Sequence, residues 1–333
     1  MQQQKTAPLF TNHQLLTLLW PLVIEQALEV LVGMADTMMV SSAGEAAISG
    51  VSLVDMINQL IITIFGALAT GGAVVTSQYL GAKKPADAAR SAGQLVALSA
   101  ILGTAVAVFC LLTRTAQLRL FFGTIEDDVM EAALTYFTIT ALSFPFLALY
   151  NAGAAIFRST GNSAVSMKVS FLVNIINFCG NALCVYGLHM GVAGVAVPTL
   201  VSRTVGAVII LSLASRPDYL LRITPRSVTR LQGGTVRRIL AIGVPALRRI
   251  ALSFVPAGAT MMLTVYFQGV DRGKSSLFVT VLRQVVLLVP LAWVLHFWGL
   301  GYVWLTFPLT ELAVLACSLV LYRVKRLPAG LRS

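Results

Sequence analysis

Charge is scarce in this chain of 333 residues: Asp, Glu, Lys and Arg together make up 11%, against roughly a quarter in soluble proteins. With 57% of residues hydrophobic, too little polar material remains to clothe a soluble fold of this size. Histidine is also rare, and His13, His189 and His296 form no H-E-x-x-H pair, which removes support for a metal hydrolase. Cys110, Cys179, Cys184 and Cys317 lie inside apolar stretches without C-x-x-C spacing, so neither a disulfide framework nor a zinc site is indicated. No Walker, G-x-G-x-x-G or Ser-His-Asp pattern stands in a loop, which disfavours an ATP-driven pump. No cofactor is expected.

What the chain has in abundance is long runs free of charge. Residues 56–82, 91–113, 132–157, 169–202, 250–270 and 284–310 contain no Asp, Glu, Lys or Arg. A bilayer core of about 30 Å accepts helices of roughly 20 apolar residues, so the pattern predicts an all-α, polytopic transmembrane bundle. Glycines at 187, 191 and 194, and again at 299 and 301, divide the longest runs. Nine hydrophobic segments result: 15–40, 52–80, 90–113, 130–156, 164–187, 192–215, 242–268, 275–297 and 301–322. The polar stretch 1–14 carries only Lys5 and no small-residue cleavage pattern, so the first segment is expected to be retained.

The 24 Lys and Arg against 13 Asp and Glu would suggest a nucleic-acid partner in a soluble chain. Here the cations sit between apolar runs, so no nucleic acid is expected and the lipid bilayer is the partner they face. Lys83, Lys84 and Arg90 follow the second segment, Arg158 and Lys168 the fourth, and Arg216, Arg222, Arg226, Arg230, Arg237 and Arg238 the sixth. The positive-inside rule places these loops and the N-terminus in the cytoplasm of a protein of the cell (inner) membrane. The loops 41–51, 114–129 and 188–191 then face outward, Arg114 and Arg119 being offset by Glu126, Asp127 and Asp128. Beyond residue 241 the pattern fails. An outward crossing by 242–268 would strand Arg272, Lys274 and the cations of the tail outside, and 239–268 is too short for two full helices. That stretch is expected to be re-entrant or to have lost helices. The expected divisions are a cytoplasmic N-terminus (1–13), a six-helix lobe (14–215), a basic linker (216–241), a truncated second lobe (242–323) and a basic tail (324–333).

Acids within a bilayer cost about 2.5 to 3.5 kcal/mol each on insertion scales and point to function. Glu25, Glu29 and Asp36 stand at i, i+4 and i+11 of the first segment, within about 40° of one another on a helix. Such a stripe can serve as a proton or sodium site, or as a structural hydrogen-bonded seam. Pro21 in the same segment can bend the helix by removing a backbone donor. On the fifth segment Asn174, Asn177 and Asn181 share a face, and uncharged oxygens suit a hard cation such as sodium, although interhelical hydrogen bonds use the same residues. Arg203 and Arg283 can answer a carboxylate, snorkel to the membrane surface or stand at a lobe seam, Asp55 and Glu311 are weaker acidic candidates, and Gly71-Gly72 reads as a bend or a close packing point.

Several of these stretches belong to a wider pattern: Trp20-Pro21, Val32-Gly33-Met34-Ala35-Asp36-Thr37, Thr70-Gly71-Gly72, Gln78-Tyr79-Leu80-Gly81-Ala82-Lys83, Phe157-Arg158-Ser159-Thr160-Gly161-Asn162, Asn174-Ile175-Ile176-Asn177 and Gly191-Val192-Ala193-Gly194. Together they resemble the multidrug and toxic compound extrusion (MATE) family of secondary transporters over about residues 14–245. The resemblance implies two six-helix lobes around a cleft that exports amphipathic or cationic drugs and other toxic compounds in exchange for H+ or Na+. It resumes at Tyr266-Phe267-Gln268-Gly269, Leu282-Arg283-Gln284 and Gly299-Leu300-Gly301-Tyr302, with most of three helices missing after Ile242-Gly243-Val244-Pro245. It also implies a cation-coupling site at Asp36, Asn177, Asn181 and Thr199, where Asn181 stands at a position the family fills with an acid. Glu25, Glu29 and Asn174 are then candidates for the substrate cleft or a proton relay, and no metal beyond a coupling Na+ is implied. The alternatives are a degenerate remnant without transport, a flippase for lipid-linked substrates, and a homo-oligomer in which two copies supply both lobes.

Overall fold

The computed structural model of the chain describes residues 38–229, 231–269, 282–298 and 304–324, with residues 20, 21, 24, 25, 28, 32, 33, 35, 36, 278, 279 and 302. Among the described residues every regular element is a helix, as the runs of apolar residues predict. The first segment is helical at its described positions from Trp20 to Ser41. Gly44, at a φ of 104°, turns the chain into α1 (Glu45–Gly81), whose first turn holds Glu45 against the positive end of the helix. Lys83 adopts a left-handed conformation and Pro85 opens α2 (Pro85–Phe122), where its missing N–H forfeits no hydrogen bond.

α2 continues beyond the expected end at 113, because helix formation needs backbone hydrogen bonds and not an apolar side chain at every turn. Arg114 and Arg119 therefore lie on a helix rather than in a loop, and the Arg114 guanidinium donates to Thr138 Oγ1 at 2.9 Å. The fourth segment, expected as one helix over 130–156, is broken into α3 (Asp127–Leu142) and α4 (Phe144–Ser159), bent by 47°. Pro145 in the first turn of α4 explains the break: it has no N–H to give and its ring crowds the carbonyl four residues back. α5 (Ser163–Ala182) ends in a π turn (Leu183–Gly187), and α6 is Ala193–Ala214.

A connector over 215–232 contains the short α7 (Pro225–Thr229). It is held by the motif that closes α4, since Tyr219 lies against the Phe157 ring at 4.6 Å and shares a hydrogen bond of 3.0 Å with Thr160. α8 (Gly233–Ala251) takes in Arg237 and Arg238, which the density of charge had suggested were in a loop. α8 and the start of α9 (Phe254–Gly269) are bent by 48° at Leu252 and Ser253. The stretch 239–268 is thus one broken crossing or a re-entrant pair, not two spanning helices. A π turn (Leu282–Leu287) leads into α10 (Leu288–Leu295), and α11 is Thr306–Val324. Among the described residues five helices are long and apolar enough to cross a membrane, or up to seven if each bent pair counts once. More than half of the expected segment 15–40, and residues 275–277, 280 and 281 of the segment 275–297, lie outside the described residues.

Lipid tails are as apolar as leucine, so close packing and polar contacts, rather than escape from water, must hold these helices together. One cluster joins Val54, Phe65, Phe137 and Phe144 of α1, α3 and α4; a second joins Leu68, Leu95, Ile156, Ile210 and Ile239. Ile239 brings α8 onto α1, and Gly71 and Gly243 let the two backbones meet: a Cβ on Gly71 would lie 2.6 Å from the Ile239 carbonyl oxygen and 2.9 Å from the Gly243 nitrogen. The cluster around Phe267, Val279 and Val314 is small by comparison. On α11 the hydroxyls of Thr306, Thr310 and Ser318 and one oxygen of Glu311 are buried without a hydrogen-bond partner among the described residues. The chain has a six-helix first lobe with a shortened second one.

Gly71→Ala is expected to cost about 1–3 kcal/mol through overpacking of the α1–α8 contact. Gly66→Ala, on the same helix with nothing within 4 Å of the added Cβ, is the control. Thermal unfolding of the two purified variants in detergent compares them, and equal Tm values would contradict the packing account.

Candidate functional site

The approach of α5 to α6 builds the site. Gly180 faces Pro198 so closely that a Cβ on the glycine would stand 2.7 Å from the proline Cβ. This contact puts Asn177 and Asn181, one turn apart on α5, opposite Thr199, the residue after Pro198. Asn177 Nδ2 donates to Thr199 Oγ1 at 3.0 Å, and the threonine hydroxyl donates on to the Val195 carbonyl at 2.9 Å. Asn181 Nδ2 donates both to Asn177 Oδ1 at 3.3 Å and to Asp36 Oδ1 of the first segment at 2.6 Å. Asn181 is fully buried, and its Oδ1 has no hydrogen-bond partner among the described residues. Asp36, Asn177, Asn181 and Thr199 therefore stand together as one chain of amide, hydroxyl and carboxylate.

Asn174 shares the helix face but does not join this chain, and its Nδ2 is buried without a partner among the described residues. Glu25 sits elsewhere along α5: Ser166 Oγ donates to its Oε2 at 3.5 Å, with Tyr150 and Arg158 as its other polar neighbours. Glu25 and Asp36 thus both turn toward α5, at separate heights. Glu29 lies outside the described residues, as do the neighbours needed to judge a bend at Pro21, which is itself helical.

Asp55 and Arg203 matter more here than their sequence positions suggest, and Tyr136 gives no signal in the sequence at all. The Tyr136 hydroxyl donates to Asp55 Oδ1 at 3.1 Å, and Asn58 Nδ2 donates to the same oxygen at 3.2 Å. Arg203 donates to Ser143 Oγ at 2.7 Å, in the break between α3 and α4, and lies within electrostatic reach of both Asp55 and Asp36. It does not snorkel to an aqueous end of the bundle; standing four residues after Thr199, it shares that residue's inward face. Two carboxylates and one guanidinium leave one negative charge over when both acids are ionised. Arg283 and Glu311 pair separately at 3.6 Å in the part that follows the connector. Among the described residues no group of three His, Cys, Asp or Glu could hold a metal ion, and the oxygens beside the Asp36 carboxylate belong to the neutral side chains of Asn177, Asn181 and Thr199.

Comparison with protein-family models finds MatE over residues 21–183, a stretch that includes Asp36, Asn177 and Asn181. The chain belongs to the MATE family. It is 30% identical over 244 residues to the uncharacterized transporter YisQ of Bacillus subtilis, a match that takes in 72% of this chain and 53% of that protein. To the probable multidrug resistance protein NorM of Thermotoga maritima it is 27% identical over 243 residues, 70% of this chain and 50% of that one. The chain spans about half the length of the curated relatives it matches. Among solved structures, an outward-facing multidrug resistance MATE family transporter of the MOP superfamily superposes with a TM-score of 0.67 at 17% identity, over 93% of this chain and 95% of that one. A MOP superfamily transporter from Pyrococcus furiosus gives 0.66 at 18%, with the same coverage. These superpositions show the fold, and the family match together with the long apolar helices makes the chain a multi-pass membrane protein.

Tyr136→Phe removes a hydrogen bond to a charged acceptor and is expected to cost about 1.5–3 kcal/mol of stability. In Asp55→Asn/Tyr136→Phe the penalty should shrink, because a neutral amide depends less on the lost hydroxyl. Unfolding midpoints of the single and double variants measure this, and strictly additive losses would show that Tyr136 does not act through Asp55.

Proposed function

We propose that the chain exports amphipathic and cationic small molecules in exchange for protons, with Asp36 as the group for which proton and substrate contend. The observation that carries this reading is the contact between Asp36 and Asn181, in which one amide N–H holds the carboxylate while the oxygen of the same amide has no donor among the described residues. An ionised carboxylate accepts from Nδ2. A protonated one has an O–H to give, and a half-turn of the Asn181 amide presents Oδ1 to receive it. Asn181 can serve both states without changing its own charge, which an acid at this position cannot do.

Asp55 and Arg203 carry opposite charges, so the state of Asp36 sets the charge balance of this cluster. With the proton off, the site draws a cation; with the proton on, that attraction is gone. Competition for one charge couples the two movements, since either ligand can displace the other only by differential binding. Sodium is the second reading, favoured by the neutral oxygens of Asn177, Asn181 and Thr199 beside the carboxylate. In this reading the lobe of residues 14–215 carries the coupling site and the basic linker 216–241 joins it to the shortened lobe 242–323. The opposite wall of the cleft comes from α8 to α11 or from a second copy of the chain.

Ethidium efflux from drug-sensitive cells, with membrane levels of the chain verified, tests the proposal. Efflux by the wild type should fall at least tenfold in Asp36→Asn, the scale expected when a coupling charge is lost. Asn181→Asp should make efflux depend on sodium, because a second carboxylate favours a metal cation over a single shared proton. No efflux from well-inserted wild type would overturn the reading and leave a non-transporting remnant of the family.

A further inference from the structure

The connector between α6 and α8 is rich in arginine, and it is firmly seated. Gln94 of α2, fully buried, donates to the Ser227 carbonyl at 3.0 Å and accepts from the Gln232 N–H at 2.8 Å. Beside it Gly93 makes room for Ser227, with which any Cβ would collide. Leu221 and Ile223 are buried in the core. Between this fixed connector and the start of α2 lies a cavity of about 360 Å³ lined by Arg90, Arg222, Arg226, Thr224, Ser227 and Gln232.

Three arginines line this cavity, Arg222 and Arg226 with their side chains exposed, and none of its described lining residues is acidic. Arg90 pairs with Asp87 at 3.3 Å, both half-exposed, while Arg222 and Arg226 have no carboxylate partner among the described residues. Like charges brought together repel unless an anion sits between them, and the planar fork of arginine matches the oxygens of a phosphate. The cavity lies at the end of the bundle that carries the cationic loops, where lipid headgroups meet the protein. Leu220 and Leu231 flank the arginines on the same connector, 64% and 51% exposed. Apolar side chains beside cations mark a segment lying in the membrane interface, a setting that a freely soluble anion does not require.

We propose that this cavity binds the phosphate of an anionic phospholipid headgroup, with Arg222 and Arg226 as the main contacts and Arg90, shared with Asp87, as the third. The bound lipid clamps the connector onto α2 and thereby steadies α8, which follows immediately and packs on α1.

The test uses the purified full chain in neutral detergent, with thermal unfolding and native mass spectrometry read against added phosphatidylglycerol, phosphatidylcholine or inorganic phosphate. Phosphatidylglycerol should raise the Tm and stay bound to the wild type, and Arg222→Gln/Arg226→Gln should need roughly tenfold more lipid for the same effect. Arg222→Lys/Arg226→Lys, which keeps the charge but not the fork, should fall between the two. Arg216→Gln/Arg237→Gln, the same change of charge outside the cavity, should behave as the wild type. Inorganic phosphate that alone reproduces the shift through Arg222 and Arg226 would keep the phosphate site but overturn the lipid as its occupant. Equal stabilisation by phosphatidylcholine, or an equal loss in the Arg216→Gln/Arg237→Gln control, would overturn the site itself.

Discussion

Polar groups inside a hydrocarbon layer must find their partners within the protein, and the first lobe of this chain is organised around that constraint. Asp36 cannot stand in lipid alone. It is supported by Asn181, which is aligned with Asn177, which in turn is anchored by Thr199. That sequence of contacts exists because Gly180 and Pro198 let α5 and α6 approach to backbone distance. A bulkier residue at 180 would separate the donors from the carboxylate without touching any of them. The same constraint accounts for the second polar group, where Tyr136, Asn58 and Arg203 surround Asp55 and the break at Ser143 supplies the arginine with an acceptor.

Neither half of the chain meets this demand completely. Within the first lobe many polar side chains answer one another, while Asn58 Oδ1, Asn174 Nδ2 and Asn181 Oδ1 are buried without partners among the described residues. On α11 four buried polar atoms lack partners among the described residues, with no comparable cluster of donors and acceptors around them.

Much of the lobe could be read from sequence because the bilayer imposes a simple pattern: charge-free runs of sufficient length, punctuated by cations. Asp36 was legible as an acid inside such a run, and Asn177 and Asn181 as amides one turn apart. The bends were not. A proline in a membrane helix is common, and only packing shows that Pro145 divides a span whereas Pro198 sits inside an unbroken helix. Helix ends were misplaced wherever charge was taken to mean loop, as at Arg114, Arg119, Arg237 and Arg238, because an amphipathic or protruding helix carries charge freely. Tyr136 left no trace in the sequence, since a tyrosine in an apolar run is ordinary until another helix brings it a carboxylate.

The central claim is that Asp36 exchanges one proton for one cationic substrate, and the most direct measurement counts the proton. Tetraphenylphosphonium added to the purified chain in weakly buffered detergent, at a pH low enough for Asp36 to hold its proton beforehand, should release about one proton per bound cation, and Asp36→Asn should bind with none released. Binding to the wild type without proton release, or release that persists unchanged in Asp36→Asn, would contradict the account.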